Sequence, residues 1–223
     1  MDNKTRISSA KKKTLPLIGE LTYLSQIHEN NAVVLRSDTI SKQIPPSRAR
    51  SAYEALRRTM FEYEIVALCR IWDSSDPQKS SIPTIVNLIS ETEIIQQLAS
   101  EKASFWLDEP EYGRAQGELT KERLNCAIRS AKEIVDSSLL RGIMNTRNKH
   151  LAHSLASTRT EKTGPISLMK YGQQTELLNK TFAIAEALHS GINHTSFSFE
   201  ESQNMHKRQS NALWQGIKIN VLE

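Results

Sequence analysis

The sequence predicts an all-α bundle with long central helices, on three observations. Glycine and proline number only 8 and 7 in 223 residues, too few for an all-β chain that turns about every ten residues. Apolar residues recur at steps of three and four over long stretches, the period of a helix that buries one face. The breaks between these stretches carry Pro-Pro, Asp-Ser and Gly-Pro clusters, which end helices. Hydrophobic residues make up 38% of the chain, a lean supply that builds a core only when concentrated on such stripes.

In chain order, residues 1–13 are polar and basic and are expected to form a flexible terminus, with Lys11, Lys12 and Lys13 as a solvated cationic run. A helix from Leu15 to about Arg36 follows from Leu17, Leu21, Leu24 and Ile27. Pro45-Pro46 interrupts it, and Ser47 is a candidate N-cap. The next helix, about 48–73, is expected to bury Ala52, Leu56, Met60, Tyr63, Ala67 and Ile71, with Arg57, Arg58, Glu62 and Glu64 on other faces. Pro77 ends that region. A short helix near Pro83–Ile89 precedes one signalled by Ser90-x-x-Glu93, a capping-box spacing, and running toward Trp106. Residues 108–117 read as a loop. Thr120 is a candidate cap for a helix with Leu124, Ile128, Ala131 and Val135 on its stripe. Asp136-Ser137-Ser138 marks a boundary, after which Leu140, Met144, Arg147 and Leu151 share a face of a helix to about Leu155. An exposed loop over 156–172 leads to a helix over about 174–192 with Leu178, Phe182, Ala185 and Leu188 inward. Ser198-x-x-Glu201 is a candidate helix start. The expected organisation is a basic N-terminus (1–13), one helical domain (14–192) and a polar C-terminal tail or short helix (193–223).

Several function classes lack their residues. The formal charge of +4 is compatible with a polyanion partner. No apolar run reaches eighteen residues, so no membrane span is expected. The N-terminus lacks the apolar segment of a secretory signal, and the expected location is the cytoplasm. Cys69 and Cys126 lie far from any Cys-x-x-Cys spacing and read as reduced, buried thiols. Gly113-x-x-x-Gly117 lacks the Lys-Ser/Thr ending of a phosphate loop, and no Gly-x-Ser-x-Gly elbow occurs. His150 and His153 lack the neighbouring carboxylate of a zinc helix, so neither metal nor cofactor is expected. His189 and His194 read as imidazoliums at a helix end, and His28 and His206 as solvated. Trp72, Trp106 and Trp214 read as core or interface anchors.

The informative stretch is Arg147-Asn148-Lys149-His150-Leu151-Ala152-His153. Arg147 falls on an apolar stripe, where a guanidinium needs a carboxylate partner, a cleft or an anionic ligand. Two imidazoles follow within two turns. The set suits phosphate chemistry: arginine grips phosphate oxygens with a rigid fork, and histidine exchanges protons near neutrality. On an ideal helix Arg147 and His153 point about 120° apart. They reach one phosphate if the helix is distorted or if two copies face each other, and His150 is better aligned with Arg147. The bland alternative is a solvent-facing helix with Arg147 paired to Asp73, Asp136 or a glutamate. Arg159, Lys162 and Lys170 follow in the loop, either as a track for an RNA backbone or as ordinary solvated charges.

This motif, an Arg followed by a polar residue and then a His, is similar to that of the HEPN superfamily. RNKHLAH together with Leu68-Cys69-Arg70-Ile71-Trp72-Asp73 resembles the abortive-infection AbiU-type branch, over roughly residues 15–192. The resemblance implies a HEPN-like bundle that dimerises and sets two motifs across a shared cleft. It implies metal-independent RNA cleavage, of toxin or phage-defence type. Arg147 would hold the scissile phosphate, His153 would be the general acid or base, Asn148 would orient His153 or the backbone, and Lys149 and His150 would be further phosphate contacts. The expected partners are RNA, a second copy, and an antitoxin or defence partner protein. The alternative the resemblance leaves open is a non-catalytic HEPN dimerisation module or adaptor.

Overall fold

In the computed structural model the described residues are 1–36, 38–152, 155–167 and 169–221, and all regular structure among them is helical. The chain order is α1 (Asn3–Val34), α2 (Asp38–Ser41), α3 (Arg48–Ile71), α4 (Ile82–Ile89), α5 (Thr92–Ala103), α6 (Pro110–Val135), α7 (Ser138–Thr146), a π turn (Arg147–Ala152), α8 (Gln173–Asn193) and α9 (Phe199–Gly216). The residues fall into two compact units, one of Met1–Gly19 with Cys69–Phe197, the other of Glu20–Leu68 with Ser198–Glu223.

In the first unit, α4, α5, α6 and α8 bury Ile82, Ile85, Ile89, Ile94, Leu98, Leu124, Leu177, Leu178 and Leu188, each such side chain contributing about 1.5–3 kcal/mol. Glycine lets two helix pairs approach closely. A Cβ at Gly113 of α6 would lie 2.6 Å from the Ala103 carbonyl oxygen at the end of α5, and one at Gly191 of α8 would lie 2.5 Å from the Leu124 side chain of α6. Residues 108–117, read as a loop, are therefore mostly the first turns of α6, with Pro110 in its first turn where no N–H is needed. Helix α1 also starts twelve residues before its expected start at Leu15. Ile7, Ala10 and Leu17 are buried, Arg6 donates to the Leu88 and Asn87 carbonyls and pairs with Glu91, Lys11 pairs with Glu101, and Lys13 donates to the Lys79 carbonyl. These contacts carry the helix through Pro16, which otherwise costs about 3 kcal/mol.

In the second unit, Val34, Ile40, Ile44 and Tyr53 form a cluster with Trp214, Ile217, Ile219 and Val221 packed against it. The stretch read as a polar tail or short helix thus holds the 18-residue α9, capped by Ser198 as expected, and an apolar strand-like end. Helix α3 departs from its expected stripe. Leu56 and Tyr63 are 49% and 41% exposed, whereas Glu64 is fully buried. The reason is a polar cluster inside the unit. Glu64 accepts from His28 Nδ1 at 2.7 Å and from Asn31 Nδ2, and Arg36 Nη2 lies 3.9 Å from the same carboxylate. Burial alone would raise the Glu64 carboxyl, but these donors hold it below its usual value.

Other expectations change for similar reasons. His28 and His206 are buried, not solvated. Burial pushes His189, His194 and His206 below the usual imidazole range, which favours neutral rings over the expected imidazoliums. Cys126 is exposed and Cys69 buried. Ser90, the C-cap of α4, back-bonds to the Val86 carbonyl and leaves α5 without a side-chain cap. Thr120 lies inside α6 and back-bonds to Gln116, and the Ser47 hydroxyl donates to the Pro45 carbonyl.

Two outcomes follow. Gly113→Ala is expected to destabilise by about 1–3 kcal/mol, because its methyl meets a backbone oxygen, whereas Gly19→Ala in α1, with nothing within 4 Å, is expected to gain about 0.5–1 kcal/mol; chemical denaturation of both variants checks the contrast. Glu64→Gln strips the carboxylate from Arg36 and His28 and is expected to cost about 3–5 kcal/mol by the same measurement.

Candidate functional site

Helix α7 carries the site. Ser137 caps it, its Oγ accepting from Leu140 N at 3.1 Å, and Leu139, Leu140 and Ile143 bury its apolar face. At Gly142 the returning chain passes close: a Cβ there would lie 3.2 Å from the Ser167 carbonyl oxygen. The regular helix stops at Thr146, and Arg147–Ala152 form a π turn, none of whose side chains is fully buried. Single π turns are rare and concentrate at functional sites. The sequence reading assumed an α-helix to Leu155, and the local distortion it named as one route to convergence lies on the motif itself.

The motif residues fare differently. Arg147 is half-buried, and its Nε and Nη2 donate to Asn148 Oδ1 at 2.9 and 2.8 Å. Among the described residues it makes no ion pair with a carboxylate, although its charge is felt by Asp73 and Cys69. Asn148 is thus an orienting group for the guanidinium. Burial pushes the Cys69 thiol up to about 12, against the opposing pull of Arg147, so it stays protonated. The Asp73 carboxyl would be raised by burial but is held low by Lys79, 2.9 Å away, by Ser74 N–H and by Arg147. The Asp73 end of the Leu68–Asp73 stretch therefore faces the motif electrostatically. Lys149 pairs with Glu161 at 3.0 Å. His150 is exposed. His153 lies outside the described residues.

The structure also brings in residues the sequence reading missed. Thr158 is buried in the loop after the motif, and its hydroxyl donates to Asn145 Oδ1. Thr158 N–H donates to Glu161 Oε2 at 2.6 Å, and Glu161 N–H donates back to Thr158 Oγ1 at 3.3 Å. This reciprocal pair is a capping box. The Thr158-x-x-Glu161 spacing is its signal in the sequence, inside the segment expected as an exposed loop. Among the described residues no group of three or more His, Cys, Asp or Glu side chains could hold a metal ion, and no helix is long and apolar enough to cross a membrane.

The Arg147 guanidinium is thus half-buried, held by an amide and without a carboxylate ion pair among the described residues. In the comparisons with known proteins, the family model HEPN_AbiU2, described as AbiU2, matches residues 21–213. No curated protein and no solved structure matches.

Because Arg147 has no carboxylate to strand, Arg147→Ala is expected to cost less than about 1 kcal/mol of stability, where a broken buried ion pair would cost about 3–5 kcal/mol; thermal melting of the variant reads the difference.

Proposed function

The chain belongs to the AbiU2 family of HEPN-domain proteins, the abortive-infection, defence-related branch, and we propose that it is an endoribonuclease of that system, cutting RNA through Arg147 and His153 in a cleft shared by two copies. The observation that carries this reading is the Arg147 guanidinium, oriented by Asn148 and unpaired with any carboxylate among the described residues. Such a fork binds two phosphate oxygens at once and keeps its charge as the phosphorane develops.

The chemistry uses the RNA's own 2′-hydroxyl. An imidazole, His153, takes the 2′-hydroxyl proton. The 2′-oxygen then attacks phosphorus, the P–O5′ bond breaks, and a second imidazole protonates the departing 5′-oxygen. The products are a 2′,3′-cyclic phosphate and a 5′-hydroxyl, and no oxidant or metal enters the balance. Two imidazoles in complementary protonation states are needed, which a second copy's His153 supplies. Each proton transfer contributes about 10²–10⁴-fold, and arginine at the developing charge adds a few kcal/mol in a water-poor cleft. A reducing cytoplasmic setting suits the exposed Cys126. A partner protein that masks the cleft would act as the antitoxin.

The purified chain is expected to cut RNA in EDTA and to leave 2′,3′-cyclic phosphate ends, read by end-group analysis. His153→Ala is expected to lower the rate by at least about 10²-fold with an unchanged melting curve. Cleavage that disappears on chelation, or survives His153→Ala, would falsify the proposal.

A further inference from the structure

A second polar cluster stands on the motif, around Lys149 and the Asn145 that precedes it. Asn145 and Lys149 stand four residues apart and flank Arg147 in sequence. The Lys149 ammonium is one wall of a seat, and its side chain is 20% exposed. The Asn145 amide is another: the residue is 3% exposed, its Oδ1 accepts from the Thr158 hydroxyl, and its Nδ2 is buried without a hydrogen-bond partner. The seat is filled by the chain's own carboxylate. Glu161 Oε1 sits 3.0 Å from Lys149 Nζ, and Oε2 accepts from Thr158 N–H. First Thr158 N–H and then the Lys149 ammonium, with the Asn145 amide also facing it, hold the Glu161 carboxyl at about 2.

We propose that Asn145 and Lys149 form a subsite for an RNA backbone phosphate flanking the one at Arg147, and that Glu161 occupies this subsite in the resting chain and gives way to the RNA. Three features carry the idea. The buried Asn145 Nδ2 turns toward the Glu161 carboxylate without a full hydrogen bond among the described residues, and a phosphate with more acceptor oxygens serves it better. The Lys149–Glu161 pair is still partly open to solvent, at 20% and 17% exposed, so a phosphate that brings more charge and more acceptor oxygens can compete for the Lys149 ammonium. The seat also stands on the motif turn, so a phosphate there lies within about one helix width, roughly 10 Å, of Arg147. The inference rests on RNA being the ligand of the Arg147 site. It assigns Lys149 a role that the resting geometry hides, because its charge is neutralised until Glu161 leaves.

Glu161→Gln tests this cleanly, because glutamine keeps the capping box and removes only the charge. The probe is a short 2′-O-methyl RNA, which cannot be cut, so binding is read independently of any nuclease activity. Glu161→Gln is expected to bind it about 3–10-fold more tightly at low salt, with a salt dependence steeper by the release of about one further counterion. Adding Lys149→Met is expected to cancel both changes. Glu161→Asp, whose shorter side chain retreats from Lys149, is expected to fall between and stands in should Glu161→Gln fold poorly. Equal or weaker binding by folded Glu161→Gln overturns the seat while leaving the nuclease reading intact. A rise in melting temperature of Glu161→Gln with inorganic phosphate, without tighter RNA binding, also overturns it, since the seat then takes free phosphate. Absence of RNA binding by every variant overturns this seat and the nuclease reading together, whereas tight binding without cleavage of ordinary RNA overturns only the latter.

Discussion

A buried or half-buried guanidinium needs a counter-charge, and among the described residues no carboxylate forms an ion pair with Arg147. Asp73, a carboxylate that feels its charge, is engaged by Lys79. Asn148, the next residue, takes two of the guanidinium donors on one amide oxygen. An amide orients a cation without neutralising it. The positive charge therefore stays on the half-buried turn without a carboxylate ion pair among the described residues.

The π turn is the second element of the same design. Closing a turn over Arg147–Ala152 with wider spacing costs hydrogen-bond geometry that α-helix would have kept. The neighbouring chain makes up for it. Leu155 N–H donates to the Lys149 carbonyl at 2.7 Å, Thr158 reaches back to Asn145, and Glu161 to Lys149. The loop after the motif is thus stapled to the helix before it, and what holds the loop is also what masks the Lys149 charge. Stability and masking share one carboxylate.

Much of this was legible in the residues, and the illegible parts have physical causes. The helices were visible wherever an apolar stripe met a core: the inward faces of α6 and α8 include Leu124, Ile128, Ala131, Leu178, Phe182, Ala185 and Leu188, as their spacing implied, while Val135 at the end of the α6 stripe is exposed. The α3 stripe failed because periodicity records which residues are apolar and not which face a neighbour covers. Glu64, polar on any scale, takes the interior position because His28 and Asn31 of α1 and Arg36 just past its end come to it from about thirty residues away. The α1 start was missed because its anchors, Leu88, Asn87 and Glu101, lie some eighty to ninety residues on. At the site, Arg147 and the family resemblance were readable, and the folded partners of Asn148 and Lys149 were not. A π turn has no composition signal, and the Lys149–Glu161 pair forms only once the loop folds back on α7.

The central claim is that Arg147 keeps its guanidinium for an RNA phosphate. Its most direct test is the arginine Nε–H spectrum of the full chain, labelled with ¹⁵N and titrated with uncleavable 2′-O-methyl RNA, with the Arg147 signal assigned by its loss in Arg147→Ala. The account predicts that the Arg147 signal shifts in step with RNA binding, as its donors leave Asn148 for phosphate oxygens. An Arg147 signal that stays fixed while RNA saturates the protein would contradict it.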